Sequence, residues 1–121
     1  MLRFQPNRGS SAVVLVSTFF LQAITADGWT TVGSTPYAVL TTDFKLWVTV
    51  NPCTVVFPLS VTMEHDVLVK DGAGGAFANN IHNTFTGGEI CDGSADRKIT
   101  TDRGFLVIGP KPTDDGYTLV G

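Results

Sequence analysis

Two histidines are the side chains of this sequence best suited to acid–base chemistry. His65 stands between Glu64 and Asp66, so that an imidazole and two carboxylates are adjacent in the chain. Neighbouring residues of a strand or loop point to different sides and do not converge on one substrate, which favours a solvated turn. His82 follows Ile81, and strand alternation places it on the opposite, polar face as a surface or interface histidine.

The other candidate sites lack essential parts of their motifs. The glycine-rich stretch 71–75 has neither the Lys-Ser/Thr pair nor the helix of a phosphate-binding loop, so we expect a hairpin loop. No Ser or Cys stands in a nucleophile motif with a placed base. Four aspartates lack the regular spacing of a calcium loop and are expected to cap turns: Asp92, Asp96, Asp114 and Asp115. We therefore expect no catalytic residue, no cofactor and no metal, and hence no enzyme.

The two cysteines, Cys53 and Cys91, are far apart in the sequence and lack Cys-x-x-Cys spacing. This argues against a zinc site or a redox motif. Both stand in apolar, strand-like stretches, so the favoured interpretation is two small buried side chains. A disulfide between them is the alternative.

Composition favours a single domain that associates with other proteins. A chain of 121 residues can bury a core of its own. Only 16% of its residues are charged, against about 25% in an ordinary soluble domain, so much of its surface is neutral and suits permanent protein contacts. The net charge is −3, and the 8 basic residues are scattered, which argues against nucleic acid as a partner.

The N-terminal segment shares features with a secretory signal. Arg3 and Arg8 precede an apolar stretch at 12–24, but Ser17, Thr18 and Gln22 interrupt that stretch. It is too short to cross a membrane and has only a poor cleavage site. We therefore expect residues 1–34 to form a structural N-terminal β arm, and no membrane contact.

The rest of the chain has the pattern of an all-β protein. β-branched and aromatic residues recur in short runs, and no stretch keeps helical spacing between caps. Six residue pairs favour tight reversals or positive φ: Asn51-Pro52, Asp71-Gly72, Gly87-Gly88, Asp92-Gly93, Arg103-Gly104 and Asp115-Gly116. This pattern predicts a compact β-sandwich, jelly-roll-like or barrel domain. The predicted strands are Val13–Leu21, Tyr37–Thr41, Phe44–Val50, Thr54–Phe57, Val67–Lys70, Ile81–Phe85, Lys98–Thr100, Phe105–Ile108 and Tyr117–Val120.

The strand at 44–50 shows its two faces most clearly. Phe44, Leu46, Val48 and Val50 alternate with polar residues and with Trp47, which predicts one fully apolar face. On the other face, Trp47 either anchors a subunit contact or packs under a loop of its own domain.

The order of motifs after Tyr37 resembles a small β module of tailed-bacteriophage structural proteins. Val69-Lys70-Asp71 opens a turn with Gly74, Asn79-Asn80-Ile81 enters a strand, and Ile90-Cys91-Asp92-Gly93 forms a further turn. The resemblance covers Tyr37 to Gly121, so we assign residues 35–121 to this module. It implies a self-associating, often trimeric β domain in a virion, in a head decoration (cement), tail fibre or tail spike component.

Three functional hypotheses follow, of which a non-enzymatic virion structural protein is favoured. Its partners would be copies of itself, as a homotrimer, and the major capsid protein or other virion proteins. We expect the N-terminal strand to contact a neighbouring subunit or capsid protein. The alternatives are a glycan- or receptor-binding fibre module, in which exposed aromatics such as Trp29, Trp47 or Tyr37 stack on a sugar, and a secreted enzyme or inhibitor. The predicted interface residues are Val14, Val16, Phe19, Phe20, Trp29 and Trp47.

Overall fold

The computed structural model describes residues 28–120, and these residues form strands with almost no helix, which confirms the all-β prediction. Two single-turn 3₁₀ helices, Ser60–Thr62 and Thr86–Gly88, lie between strands. The ten strands of this range are β1 Trp29–Val32, β2 Tyr37–Ala38, β3 Lys45–Val48, β4 Cys53–Phe57, β5 Val67–Asp71, β6 Ile81–Phe85, β7 Ile90–Cys91, β8 Asp96–Ile99, β9 Phe105–Lys111 and β10 Gly116–Leu119.

The chain winds back and forth between two sheets. β1, β3 and β5 lie parallel and adjacent in a six-stranded sheet. β2, β4 and β6 lie parallel and adjacent in a four-stranded sheet. Each successive pair of strands therefore makes one coil, and we call β1–β2, β3–β4 and β5–β6 coils 1, 2 and 3. The coils stack in chain order, so each coil pairs with the one before it.

The two ends of this stack are built differently. Beyond coil 3, β9 pairs with β5 and β8 pairs with β6, both antiparallel, and β10 and β7 extend the six-stranded sheet further. The strand order is β1-β3-β5-β9-β10-β7 in one sheet and β2-β4-β6-β8 in the other. At the coil 1 end, β1 and β2 have no strand beyond them among residues 28–120. A stack of strands needs a cover over such an edge.

Side chains from both sheets form one core. Alternate residues of each strand point inward, as expected for β-branched side chains on a pleated surface. An aromatic cluster of Phe57, Phe85 and Tyr117 has ring centroids 5.1 to 5.5 Å apart. The Tyr117 hydroxyl donates to the Pro58 carbonyl at 2.6 Å, so this buried phenol is satisfied. The inward residues of the two sheets include Val32, Leu46, Val48, Val67, Val69, Cys53, Val55, Ile81 and Ile99.

Most predicted strands overlap observed ones. The predicted strand Ile81–Phe85 coincides with β6, whereas Trp29–Val32 and Ile90–Cys91 are strands that the sequence analysis did not predict. The predicted strand Val13–Leu21 lies outside the described residues. One face prediction is wrong: Phe44 is 56% exposed, because it precedes β3 at the end of the sheet, where its ring stacks on His65 rather than entering the core.

Most of the predicted turns do not join paired strands, although Asp92-Gly93 is a tight reversal in which Cys91 and Ser94 exchange backbone hydrogen bonds at 2.8 and 3.1 Å. β9 and β10, joined at Asp115-Gly116, are the only consecutive strands in the described range that pair with each other. At Asp71-Gly72 the chain instead leaves one sheet for the other. The predicted positive φ values are confirmed at Gly88, Asp92 and Arg103, among others. The same turn residues suit a corner between sheets and a hairpin, because both need only a local bend of the backbone.

Candidate functional site

His65 serves a packing role rather than joining its carboxylate neighbours. Its ring stacks on Phe44 with centroids 3.9 Å apart and planes inclined by 14°. Its Nε2 lies 2.9 Å from the Thr41 carbonyl oxygen, and its Nδ1 lies 3.1 Å from that of Asp66. Both ring nitrogens therefore contact the backbone, and the imidazole links the start of β3 to the start of β5.

His82 has a carboxylate partner that the sequence analysis did not identify. Its Nδ1 lies 2.8 Å from Oδ2 of Asp96, and Nζ of Lys98 lies 3.5 Å from the same oxygen. The antiparallel register of β6 and β8 brings these residues together. A long-range pairing of this kind leaves no local signal in the sequence. No Ser, Thr or Cys hydroxyl or thiol forms a hydrogen bond to His82 within the described residues, so the pair lacks the nucleophile of a catalytic triad.

A buried carboxylate organises the glycine-rich stretch 71–75. Asp71 is 0% exposed, and its oxygens accept the backbone N–H groups of Gly74, Ala76 and Arg103 at 3.0, 3.0 and 3.1 Å. Burial alone raises the pKa of this carboxyl, but the backbone donors outweigh burial, so the pKa lies below its ordinary value of 3.8. The stretch is thus the corner between β5 and β6 rather than the predicted hairpin loop, and the protein itself occupies these donors.

The cysteines and the remaining aspartates have structural roles. Cys53 and Cys91 are free and buried, as the favoured prediction held, and burial raises the pKa of both thiols. Asp92 accepts the Thr118 hydroxyl and the Leu119 backbone N–H, both at 2.8 Å, so its carboxylate ties the turn after β7 to β10 rather than capping that turn as predicted. Within residues 28–120, no group of three or more His, Cys, Asp or Glu is placed to hold a metal ion.

The outward side of the six-stranded sheet is largely apolar across four of its strands. Strand alternation and register define two rows of side chains across β1, β3, β5 and β9. Five of these eight residues are apolar, two are lysines, one is a threonine, and none is acidic. We call this set the apolar outer face: Trp29, Lys45, Leu68 and Val107 in one row, and Thr31, Trp47, Lys70 and Phe105 in the other.

The two lysines of the apolar outer face are held by neighbours within the chain. Lys45 Nζ lies 4.9 Å from the centre of the Trp29 ring, a cation–π distance. Lys70 Nζ donates to the Arg103 carbonyl. Their charged ends are thereby drawn to the sheet, and their aliphatic stems add to the apolar area.

The outward side of the four-stranded sheet is polar. Register and alternation place six residues there, and only one of them is a large apolar side chain. We call this set the polar outer face: Thr54, Val56, His82, Thr84, Asp96 and Lys98.

The structure brings together the two predicted interface residues that it describes. Trp29 and Trp47 lie in neighbouring rows of the apolar outer face, with ring centroids 5.3 Å apart in an edge-to-face arrangement. The Trp47 indole also lies directly over Gly72 and leaves no room for a side chain there. Trp47 therefore packs on a loop of its own domain and faces outward at the same time. The other predicted interface residues, Val14, Val16, Phe19 and Phe20, lie outside the described residues.

Comparison with known proteins gives no family. No protein-family profile matches the chain, and no curated protein matches it. No helix within the described part of the chain is long and apolar enough to cross a membrane. Since no related protein points to a site, we identify the apolar outer face as the candidate functional site from its side chains alone.

Proposed function

We propose that this chain is a non-enzymatic structural protein of a tailed-bacteriophage virion. In this proposal it is a capsid decoration (cement) or fibre-type subunit that forms a homotrimer and binds the major capsid protein or another virion protein. The two sheets make a compact, sandwich-like body whose outer surfaces meet its partners. The phage assignment is supported by the order of turn motifs after Tyr37.

The apolar outer face is the observation that carries the proposal of assembly. Phe105 alone exposes 58% of its surface, and in its row it lies beside Lys70, which in turn lies beside Trp47. Soluble monomers rarely expose a contiguous apolar patch on a rigid sheet, and such a patch is typical of a protein–protein interface. Apolar area removed from water stabilises an interface by about 25 cal/mol per Å² before the costs of association.

Several contacts favour protein assembly over glycan binding at this face. A sugar-binding platform needs an aromatic ring whose face is open to the ligand. One face of the Trp29 ring instead meets the Lys45 ammonium, and Trp47 lies on Gly72 and against Trp29. The exposed ring in this region is that of Phe105, which has no polar group to orient a sugar.

The proposal is tested by comparing the oligomeric mass of the purified chain with that of a variant that carries a charge on this face. We expect an oligomer by analytical ultracentrifugation, and Phe105→Lys should shift it to monomer, because a lysine buried in an apolar contact must be desolvated. Val61→Lys is the matched control, since Val61 is 72% exposed in the 3₁₀ turn Ser60–Thr62 and is not part of the apolar outer face. A chain that is monomeric and does not bind purified capsids or tails would contradict the proposal. An unchanged oligomer in Phe105→Lys would remove the apolar outer face as its basis.

A further inference from the structure

A third outward row of the six-stranded sheet lies next to the apolar outer face and is acidic. Thr118 of β10 pairs with Gly109 of β9. The register of β5 with β9 places Asp66 beside Gly109, and that of β7 with β10 places Asp92 beside Thr118. All four occupy outward positions, because the residue next to each of them in the chain belongs to the core. We call this set the acidic row: Asp66, Gly109, Thr118 and Asp92.

The two carboxylates of the acidic row lie at the surface. The Asp66 carboxylate lies over Gly109, where the Cβ of any other residue would collide with it. Oδ1 of Asp92 accepts the Thr118 hydroxyl at 2.8 Å. Both aspartates are exposed, and neither forms an ion pair within residues 28–120. Arg97 lies near Asp92 but donates to its backbone carbonyl rather than to its carboxylate.

The charges of the apolar outer face have the opposite sign. Lys45 and Lys70 are its only charged residues, and their ammonium groups contact the Trp29 ring and the Arg103 carbonyl. Neither lysine forms an ion pair in the described part of the chain. One side of one sheet therefore carries two lysines and two aspartates that the chain does not pair with each other.

Two copies of the apolar outer face do not suit each other. Facing copies would bring their lysines together in a contact from which water is removed, and like charges across an interface are unfavourable. The acidic row offers the opposite charge. It also has apolar surface beside it, since Val120 is 36% exposed and its backbone N–H bonds to the Val107 carbonyl.

We propose that the apolar outer face of one copy binds the acidic row of a second copy. Lys45 and Lys70 of one chain then lie against Asp66 and Asp92 of the other, while Phe105 is buried in the contact. Contact between unlike surfaces is the kind that closes a ring of copies, which the proposed homotrimer requires. The inference rests on the proposed function, because it names the surface that the apolar outer face meets.

Charge reversal on each surface tests the contact. Lys70→Glu and Asp66→Lys should each raise the dissociation constant of the oligomer by roughly tenfold, because each places like charges across the contact. Lys98→Glu is the matched control, since Lys98 lies on the polar outer face, and it should leave the constant unchanged. Sedimentation velocity over a series of concentrations measures all three. Unchanged association in both Lys70→Glu and Asp66→Lys would overturn the proposal.

A mixture of the two variants distinguishes unlike from like surfaces. In an equal mixture of Lys70→Glu and Asp66→Lys chains, the two reversed charges meet, so the mixture should associate more tightly than either variant alone. Absence of this recovery would overturn the proposal. If Lys70→Glu associated with the unmodified chain more tightly than the unmodified chain does with itself, the two apolar outer faces would be meeting each other, which would also overturn it.

Cross-linking of the unmodified chain gives an independent test if a variant does not fold. A carbodiimide activates a carboxylate, and a lysine amine in contact with it forms an amide and releases the reagent as a urea. In a mixture of isotopically light and heavy chains, mass spectrometry should detect an amide between Lys45 or Lys70 of one chain and Asp66 or Asp92 of another. Cross-links between chains at other residues only, or within chains only, would overturn the proposal.

Failure of this inference is distinguishable from failure of the proposed function. Loss of association in Phe105→Lys, with unchanged association in both charge reversals, would overturn the inference and leave the proposed function standing. A purified chain that is monomeric at every concentration would also overturn the inference. The proposed function fails only if binding to capsids and tails is absent as well.

Discussion

The two sheets share one core, yet their outward sides differ in chemistry. The apolar outer face combines Trp29, Trp47 and Phe105 with lysines that are held by their own neighbours. The polar outer face instead carries His82, which pairs with Asp96 on the adjacent strand. This difference is the reason why we propose that the apolar side meets a partner and the polar side faces water.

The largest expected loss of stability comes from removing the buried charge of Asp71, which lies at the end of β5 in the six-stranded sheet. Asp71→Asn removes the carboxylate that accepts three backbone N–H groups, so we expect the free energy of unfolding to fall by about 3 kcal/mol. Urea denaturation at pH 7 measures this loss. Asp102→Asn is the control, because Asp102 is exposed and accepts only the Phe77 N–H, and its loss should stay below about 1 kcal/mol.

The same carboxylate predicts how acid affects stability. The pKa of folded Asp71 lies below its ordinary value of 3.8, so the unfolded chain takes up a proton first as the pH falls. The stabilisation is therefore complete well above pH 4 and is lost progressively as the pH falls through 3.8 toward the lower, folded-state pKa. Asp71→Asn should show a weaker loss of stability over this range. Parallel pH profiles for the two proteins would contradict the role assigned to Asp71.

Replacing Trp47 is expected to give the next largest loss of stability. Measured on the monomer, this loss reports the packing of Trp47 within the chain and not its part in assembly. Its indole lies on Gly72 and against Trp29, so Trp47→Ala should lower the free energy of unfolding of the monomer by about 2 kcal/mol. His82→Ala on the polar outer face should cost less than about 1 kcal/mol. Urea denaturation at a concentration where both proteins are monomeric makes the comparison. Equal losses would mean that the two faces do not differ in how they support the fold.

The sequence predicted the strands better than their connections. Strands such as Ile81–Phe85 are marked by local alternation and β-branched residues, and these signals are visible in the chain. The parallel stacking of β1, β3 and β5 depends on residues sixteen or more positions apart, which turn residues do not report. The sequence analysis named Trp29 and Trp47 one by one as predicted interface residues. Their contact with each other depends on the pairing of β1 with β3, so it could not be predicted.

The smallest effect is expected for the ion pair on the polar outer face. His82 and Asp96 are both about one-third exposed, and Lys98 contacts the same carboxylate, so the surrounding water screens their attraction. A double-mutant cycle of His82→Gln and Asp96→Asn should give a coupling energy of about 0.5 kcal/mol. The coupling is measured by urea denaturation at low salt and should shrink in about 1 M salt. A coupling above about 2 kcal/mol that persists in salt would instead identify a pair that the fold depends on, and the polar outer face could no longer be treated as an ordinary solvated surface.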